Sequence, residues 1–286
     1  MAIADKFYTK KEIAKKCVEK IFSLFNLNSE VFLEPTAGNG AFLDYLPKFE
    51  AYDLIPEDDR IVQKNIFDFD SEYKEYITIG NPPFGKRSKL AIEVFNKCSL
   101  YSNVIAFILP VSFMKFGVQK ELNKNFKLIS FDFLPQNSFK DRDNDFDVNC
   151  VFQIWIKENS KFDIGVDLRI KEPPSIKHKD FDIWQYNATE EAFDCVYEDW
   201  EIAVFRQGYK DYNKLFYQKD KDEIINLMSG KNNGKKAQFF FIKPKTEEAR
   251  NIILKMDFNN LAARNTSTPG FGKADFVSYY QELLEK

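Results

Sequence analysis

Short apolar runs that alternate with polar, turn-forming segments are the feature that most constrains the fold of this chain. Continuous apolar runs suit strands that are covered on both faces, and two other segments, residues 9–25 and 90–98, show apolar residues at helical spacing. Strands that alternate with helices predict an α/β domain with a mostly parallel sheet and helices on both sides. The strand pattern occurs at residues 31–33, 49–52, 61–62 or 66–67, 76–80, 104–109, 129–134 and 148–156.

The last two of these strands are joined by a polar link, residues 135–147, that contains no helical segment. This link predicts a hairpin, and hence an antiparallel strand at one edge of a seven-stranded sheet. Farther along, Pro173–Pro174 breaks the chain, and strand-like and helical pieces mix. We therefore expect a Rossmann-like domain over residues 1–160 and a smaller α+β region over residues 161–286, with the boundary anywhere between 160 and 195.

The cysteine and histidine content excludes several kinds of site. Because there is no Cys-x-x-Cys pair and only one histidine, His178, we exclude zinc fingers, disulfide scaffolds and histidine-based triads, and we expect no metal site. Reduced cysteines in an intracellular compartment are the expectation. No apolar run reaches the length of a membrane span, and the N-terminal residues lack a secretory pattern. The four cysteines lie far apart, at Cys17, Cys98, Cys150 and Cys195.

A glycine-rich turn, Glu34-Pro35-Thr36-Ala37-Gly38-Asn39-Gly40, follows the first strand. In a parallel sheet this position is the carboxyl edge, where ligands bind. Gly38 and Gly40 would let a ligand lie against bare backbone, and helical character resumes at residues 41–43, which predicts a helix with free N–H groups. An acidic residue at the strand end suits a ligand with a cationic amino acid end better than it suits a pyrophosphate. An ordinary turn between strand and helix is the alternative.

Asp53 stands at the end of the second strand. A carboxylate at that position can accept hydrogen bonds from both hydroxyls of a ribose. A solvated loop aspartate is the commoner outcome, so this interpretation depends on the glycine-rich turn beside it.

Asn81-Pro82-Pro83-Phe84 follows the buried run 76–80 and is the sharpest chemical signal in the chain. The prolines fix φ and have no N–H, so the carbonyls before and between them are acceptors without competing donors. The side chain of Asn81 adds an amide oxygen, and Phe84 adds an aromatic ring. These groups suit an exocyclic NH₂ on a flat heterocycle that stacks on Phe84. A proline-stiffened turn is the alternative for the bare tripeptide.

On these residues the chain resembles class I S-adenosylmethionine-dependent methyltransferases, and most closely DNA N6-adenine methyltransferases. Asn81–Phe84 matches the family's catalytic motif Asp/Asn-Pro-Pro-Tyr/Phe, residues 34–40 followed by Phe42 match its cofactor motif, and Asp53 matches its ribose-binding acid. The resemblance implies a Rossmann-like methyltransferase fold. Only 40 residues separate Gly40 from Asn81, so a target-recognition region would have to follow, in residues 161–286, as in the gamma-type arrangement.

The resemblance implies further site residues. Phe7-Tyr8-Thr9 resembles the upstream segment that touches the methionine carboxylate. The adenine-binding position falls on Asn65 and Ile66, with Asp68 as the competitor. Phe139 resembles the ring that contacts the flipped base, and Phe146 is its alternative. The implied cofactor residues are Tyr8, Thr9, Glu34, Pro35, Thr36, Gly38, Gly40, Asp53, Asn65, Ile66 and Asn81.

The implied activity is methyl transfer from S-adenosylmethionine to N6 of adenine in double-stranded DNA, as in restriction–modification, in a bacterial or phage-type host cytoplasm. RNA adenine and protein glutamine offer the same planar NH₂ and stay open as acceptors. An inactive nucleic-acid-binding subunit with the same fold also stays open. Because the net charge is −3, phosphate contacts need local basic patches. The candidates for these patches are Lys86, Arg87, Arg142, Arg206, Lys231, Lys235, Lys236, Lys243 and Lys245.

Overall fold

The computed structural model describes residues 7–27, 29–141, 144–146, 148–230, 234–264 and 269–285. The chain divides into two compact units, Met1–Glu172 and Pro173–Lys286. Each unit has its own sheet and its own apolar core. Within the described residues, no helix combines the length and the apolar character that crossing a bilayer requires.

A mostly parallel sheet lies at the centre of the first unit. Its strands are β2 (Phe32–Glu34), β3 (Phe49–Asp53), β4 (Val62–Gln63), β5 (Tyr76–Gly80), β6 (Ser102–Pro110), β7 (Phe126–Phe133) and β10 (Cys150–Lys157). Their order is β4-β3-β2-β5-β6-β10-β7, with parallel pairing from β4 to β6. The predicted Rossmann-like, seven-stranded sheet with a hairpin at one edge is confirmed. The antiparallel strand, β10, lies between β6 and the edge strand β7.

Helices cover both faces of this sheet. The helices of the first unit are α1 (Lys11–Leu24), α2 (Lys89–Cys98) and the single turn α3 (Phe116–Gln119). Helix α1 packs its apolar side on one face of the sheet and α2 packs on the other. Burial of these two apolar stripes is the main force that fixes the layers. The buried residues are Ile13, Ala14, Cys17, Val18 and Ile21 in α1, and Ala91, Val94, Phe95 and Cys98 in α2.

The structure corrects the prediction of a helix after the glycine-rich turn. Leu43–Tyr45 forms only one 3-10 turn, and β3 begins at Phe49. Eight residues separate Gly40 from Phe49, and one of them, Pro47, has no N–H and disfavours helix in the residue before it. An α-helix with its connections does not fit in that length. The apolar residues at 41–43 are buried in the core instead.

The strand order creates a topological switch between β2 and β5. From β2 the chain runs outward to β3 and β4, and it then returns to the other side of β2 with β5 and β6. The connections therefore leave in opposite directions and open a crevice at the carboxyl ends of β2 and β5, the general ligand position in such sheets. Gly80 ends β5 next to the end of β2, since a Cβ there would be in ordinary van der Waals contact with Glu34 Cγ at 3.6 Å and Pro35 Cδ at 3.8 Å.

A small three-stranded sheet completes the first unit. It consists of β1 (Tyr8–Thr9), β8 (Phe139–Asp141) and β9 (Asn144–Phe146), in the order β1-β8-β9. Thr9 pairs with Phe139, so the segment before α1 lies beside the polar link that precedes β10.

The second unit is built on a four-stranded antiparallel sheet. Its strands are β11 (Phe181–Tyr186), β12 (Ile202–Gln207), β13 (Leu215–Tyr217) and β14 (Gln238–Pro244), in the order β11-β14-β12-β13. Phe239–Phe241 in the inner strand β14 are fully buried, so the sheet is covered on both faces. The helices are α4 (Lys221–Ser229), α5 (Glu247–Leu254), α6 (Phe258–Ala263) and α7 (Lys273–Leu284).

Candidate active site

The glycine-rich turn leaves β2 at the crevice between β2 and β5. Ala37 donates its N–H to the carbonyl of Tyr52 at 2.9 Å, which ties the turn to β3. Gly40 has φ +72°, and a Cβ there would lie 3.1 Å from Leu43 Cδ1 and 3.3 Å from Asp58 Oδ2. Both the backbone conformation and the space therefore favour glycine at this position.

Glu34, at the end of β2, is buried with 2 % of its surface exposed. Burial raises the pKa of its carboxyl group well above the ordinary value, and the nearby Asp53 carboxylate raises it further. Its Oε2 atom has no hydrogen-bond partner among the described residues, and the same is true of the buried Thr36 Oγ1. Ionising a buried carboxyl group that has no cation in contact with it costs free energy. Glu34 is therefore suited to a ligand that brings a positive charge.

Asp53, at the end of β3, holds the glycine-rich turn. Its Oδ2 accepts a hydrogen bond from the N–H of Gly38 at 2.8 Å, and its Oδ1 accepts one from Ile55 at 2.8 Å. Each carboxylate oxygen has a second lone pair, so the half-buried Asp53 can still accept ligand hydroxyls. The contact with Gly38 brings two of the sequence-predicted residues together.

Asn81 follows β5 directly and faces the segment before α1. Its Nδ2 donates to Thr9 Oγ1 at 3.2 Å. Its Oδ1 is buried and has no hydrogen-bond partner within the described part of the chain. Because the amide is held through its nitrogen, the oxygen remains as an open acceptor beside the Pro82–Pro83 pair.

These open oxygens lie at one edge of the sheet. Among the described residues, the buried side-chain oxygens that lack a partner are Glu34 Oε2, Thr36 Oγ1 and Asn81 Oδ1. All three belong to the carboxyl ends of the adjacent strands β2 and β5. Most buried polar groups in proteins are hydrogen-bonded, so such a group of exceptions marks a place that a ligand completes.

The loop after the Asn-Pro-Pro-Phe motif is conformationally strained. Arg87 and Ser88 have φ values of +55° and +63°, in the left-handed region. Ser88 is buried, and its Oγ hydrogen-bonds Ser112 Oγ at 2.8 Å, in the segment that follows β6. Lys86 and Arg87 are exposed, and the described residues include no ion-pair partner for either. This loop therefore presents two unneutralised cations next to the motif.

A hollow of about 400 Å³ lies beside β1. It is bordered by the segment before α1, by the glycine-rich turn and by the β8–β9 hairpin. Tyr8 donates its hydroxyl to Glu57 Oε1 at 2.5 Å, which fixes one wall. Thr9 belongs to this wall and also anchors Asn81, so the hollow adjoins the open acceptors. Its lining residues are Tyr8, Thr9, Lys10, Lys11, Glu12, Asn39, Lys140 and Asp145.

Two aromatic candidates have different environments. Phe84 is half-buried and packs against the core, so part of its ring remains accessible. Phe139 is only 1 % exposed and belongs to the same core cluster, and its pairing with Thr9 aligns β1. The contact of its ring with a base stays a prediction. The ring of Phe146, the alternative, lies outside the described residues.

The two alternatives for the adenine-binding position differ in burial. Asn65 Oδ1 accepts a hydrogen bond from the N–H of Phe67 at 3.1 Å and caps the 3-10 turn Ile66–Asp68. Ile66 is buried in a cluster that includes Leu33 of β2. Asp68 is exposed. Ile66 is therefore the residue of this group that packs toward the strand carrying the glycine-rich turn.

Two of the basic candidates form ion pairs within the protein. Lys243 forms an ion pair with Asp199, and Lys245 pairs with Asp182 at 2.7 Å. Lys235 and Lys236 are exposed, and Arg206 is half-buried. Arg142 and Lys231 lie outside the described residues.

Sequence reasoning missed Glu57 and Ser112, which position the site through Tyr8 and Ser88. Each of these contacts joins residues far apart in the chain, and no local pattern indicates it. The described residues contain no group of three or more His, Cys, Asp or Glu side chains that could hold a metal ion.

Comparison with known proteins gives structural similarity only. No family model matches the chain, and no curated protein matches its sequence. The structure is similar to the methyltransferase subunit of a type I restriction-modification system from Streptococcus thermophilus, with 17 % identity and a TM-score of 0.43. That similarity covers 55 % of this chain and 46 % of the other, so this chain spans about half the length of that subunit.

Two other solved structures show comparable similarity. The 23S rRNA methyltransferase ErmE has 12 % identity and a TM-score of 0.39, over 56 % of this chain and 73 % of that one. A chain provisionally assigned as the modification subunit of a type I restriction enzyme from Vibrio vulnificus has 15 % identity and a TM-score of 0.38, over 96 % and 60 %. At these TM-scores the similarity carries no information on activity, which has to be argued from the residues of the site.

Proposed function

We propose that this chain transfers a methyl group from S-adenosylmethionine to N6 of adenine in double-stranded DNA, on a base flipped out of the duplex. The observation that carries the proposal is the Asn81 side chain. Its Nδ2 is held by Thr9 Oγ1, and its buried Oδ1 has no partner within the described residues. An unsatisfied buried acceptor costs on the order of 1–3 kcal/mol, which a bound NH₂ group would recover.

Asn81 and Pro82 would activate the amine without a base. The lone pair of adenine N6 is delocalised into the ring, which makes the nitrogen a poor nucleophile. If Asn81 Oδ1 and the Pro82 carbonyl accept its two hydrogens, the nitrogen moves toward tetrahedral geometry and the lone pair becomes available. Preorganised acceptors also stabilise the positive charge that develops on nitrogen. As the N–CH₃ bond forms, the S–CH₃ bond would break, S-adenosylhomocysteine would leave, and the surplus N6 proton would pass to water after the transfer. The site needs no histidine for this chemistry, and His178, the only one, belongs to the second unit.

The residues at the ends of β2 and β3 fit the cofactor. S-adenosylmethionine, when bound, supplies a methyl group on a positively charged sulfur. The open carboxyl group of Glu34 would pair with a cationic amino acid end, and Tyr8 and Thr9 border the adjoining hollow. Gly38 and Gly40 give the ligand access to bare backbone. Asp53 would accept ribose hydroxyls through its remaining lone pairs while it holds Gly38.

For the adenine of the cofactor we favour Asn65 and Ile66 over Asp68. The buried Ile66 offers an apolar wall next to β2, whereas Asp68 is exposed. Pro35 and Pro83, which follow β2 and β5, would border the crevice beside the two motifs.

The substrate base would stack on the accessible part of Phe84, a contribution of about 1–3 kcal/mol. Lys86 and Arg87 would contact phosphates on either side of the flipped nucleotide, since both cations are exposed on the loop after the motif. We favour Phe84 over Phe139 for this contact because the ring of Phe139 is 1 % exposed.

Incubation with methyl-labelled cofactor and separate pools of double-stranded DNA, RNA and protein tests the proposal. We expect N6-methyladenine in the DNA pool, and a strongly reduced rate of labelling with the Asn81→Ala variant. Label on RNA adenine or on protein glutamine would replace the DNA assignment, because both offer the same planar amine. Absence of heat on titration with the cofactor would identify a binding subunit without catalysis.

A further inference from the structure

We propose that one end of the second unit's sheet binds the phosphate backbone of a DNA duplex through Lys210 and Lys236. The inference rests on the proposed function for the identity of the nucleic acid. We call this surface the basic end. It consists of the described residues 206–214, which include the end of β12 and the segment after it, and 234–238, which lead into the first residue of β14.

The topology places these two segments together. Gln207 and Gln238 are directly paired across β12 and β14, so the chain leaves β12 and enters β14 at the same end of the sheet. Arg206 Nη1 donates a hydrogen bond to Gln238 Oε1, which ties the two strand ends to each other. Lys210 is three residues after Gln207 and Lys236 is two residues before Gln238. The two lysines therefore belong to neighbouring segments of one surface.

Packing contacts fix the backbone near each lysine. The rings of Tyr209 and Phe205 stack with their centroids 3.6 Å apart, which holds the start of the segment that carries Lys210. The N–H of Ala237 donates to the carbonyl of Leu227 at 3.0 Å, which ties the segment that carries Lys236 to helix α4. The two lysines therefore extend from segments whose backbone is already fixed. Less conformational entropy of the protein is then lost when a partner binds.

The basic end contains more basic than acidic residues, and two of its lysines have no ion-pair partner among the described residues. It contains one acidic residue, Asp211. Lys214 forms an ion pair with Glu223 at 2.8 Å. Lys210 and Lys236 are exposed, and neither has an ion-pair partner among the described residues. The five cations are Arg206, Lys210, Lys214, Lys235 and Lys236.

The opposite end of the same sheet is different. There Lys243 pairs with Asp199, Lys245 pairs with Asp182, and Arg250 pairs with Glu201. These cations have internal partners, so their attraction for an external anion is reduced. In a chain with a net charge of −3, open cations gathered at one end are complementary to a dense polyanion such as a nucleic acid backbone.

The salt dependence of binding by the full chain tests the inference. The probe is a fluorescent 30-base-pair DNA duplex, titrated without cofactor between about 50 and 200 mM salt, the range over which phosphate contacts weaken markedly. The test variant is Lys210→Ala/Lys236→Ala, and the matched control is Lys243→Ala/Lys245→Ala, which removes the same charge from the paired end. Thermal melting establishes that both variants are folded.

We expect the test variant to lose affinity on the order of tenfold and to reduce the slope of log K against log salt by about 1.8, since each lost phosphate contact contributes about 0.9. The control is expected to keep the wild-type slope. Unchanged binding by the test variant, or an equal loss in both variants, would overturn the inference. Equal affinity for an RNA duplex, with the same loss, would overturn the assignment to DNA.

The failure of this inference can be told apart from failure of the proposed function. The duplex titration measures binding and its salt dependence alone, and methyl transfer is measured separately on the wild-type protein. If wild-type protein transfers no methyl group but Lys210 and Lys236 still determine the slope, only the proposed function fails. If methyl transfer occurs and the test variant keeps its slope, only the basic end is wrong.

Discussion

The carboxyl edge of the first unit and the core of the second differ in how they satisfy buried side-chain oxygens. Within the described residues, the second unit leaves one buried side-chain polar atom without a partner, the nitrogen Arg206 Nε at the end of β12, and no oxygen. In the second unit the polar atoms of large buried side chains are hydrogen-bonded: Tyr186 to the carbonyl of Met228, Trp200 to that of Val196, and Tyr280 to Asp180. In the first unit the ends of β2 and β5 leave buried oxygens open, within the described residues. Each such group costs on the order of 1–3 kcal/mol. The difference indicates that the first unit gives up stability at the edge where a ligand would bind.

The comparison predicts that removing the open acceptor of Asn81 costs activity and not stability. Asn81→Ala should lower kcat for DNA methylation by roughly 10²–10³ or more, the usual effect of losing one preorganised group at a reacting centre. Single-turnover methylation measures the rate of transfer, calorimetry measures the affinity for the cofactor, and thermal melting measures stability. Asn81→Asp keeps an oxygen acceptor and should retain more activity than the alanine variant. A fully active Asn81→Ala protein would remove Asn81 from the mechanism.

The same comparison predicts a stabilising substitution at Glu34. Because the pKa of Glu34 is raised in the folded state, the unfolded carboxyl ionises first as the pH rises, and the wild type loses stability across that window. Without ligand, the free energy of unfolding of Glu34→Gln should therefore exceed that of the wild type, and the difference should grow by up to about 1.4 kcal/mol per pH unit above the ordinary glutamate pKa. Urea unfolding at several pH values measures the difference. A difference that does not grow with pH would contradict the open-carboxyl interpretation.

Asp53 differs from the open oxygens of Glu34 and Asn81, because both of its carboxylate oxygens already accept hydrogen bonds from the protein. Asp53→Ala deprives the N–H groups of Gly38 and Ile55 of their acceptor, at a cost of about 1–3 kcal/mol. Cofactor affinity should fall roughly tenfold to a hundredfold while the fold persists. Calorimetry with a melting control tests this, and Asp53→Asn, which keeps one carbonyl oxygen, should lose less. Unchanged affinity would remove Asp53 from the cofactor site.

The smallest expected effect is at Thr9, which holds the amide of Asn81 without providing the open acceptor. Thr9→Val removes the oxygen that accepts the hydrogen bond from Asn81 Nδ2, and the loss of this bond costs about 0.5–1.5 kcal/mol. The expected result is a kcat reduced a few-fold to tenfold with little change in KM for DNA. Thr9→Ser should restore the wild-type kcat. If valine and serine behave alike, the hydrogen bond does not position the amide.

Local patterns predicted the sheet and the positions of its loops. The apolar runs that end at Glu34 and Gly80 fixed two adjacent strands, and the sequence after each run indicated that their ends carry the chemistry. The missing helix after Gly40 shows the limit of periodicity, because apolar spacing over three residues reports burial as readily as it reports a helix.

Tertiary contacts account for what the sequence could not predict. The buried ring of Phe139 and the ion pairs of Lys243 and Lys245 depend on partners distant in the chain. A pattern of residue types does not distinguish an aromatic ring in the core from one at a surface, or a paired lysine from an open one. The division at Glu172/Pro173 depends likewise on contacts within each unit.

The pairing of Thr9 with Phe139 has a consequence for how the protein acquires its activity. The two residues are 130 positions apart, yet this short ladder holds the threonine that in turn holds Asn81. A nascent chain that has emerged only as far as β6 would contain both sequence motifs and still lack their alignment. Because contacts of such wide separation close a long loop, they tend to form late. Methyl transfer would then begin only when the first unit has finished folding, so unfinished chains would leave the substrate unmodified.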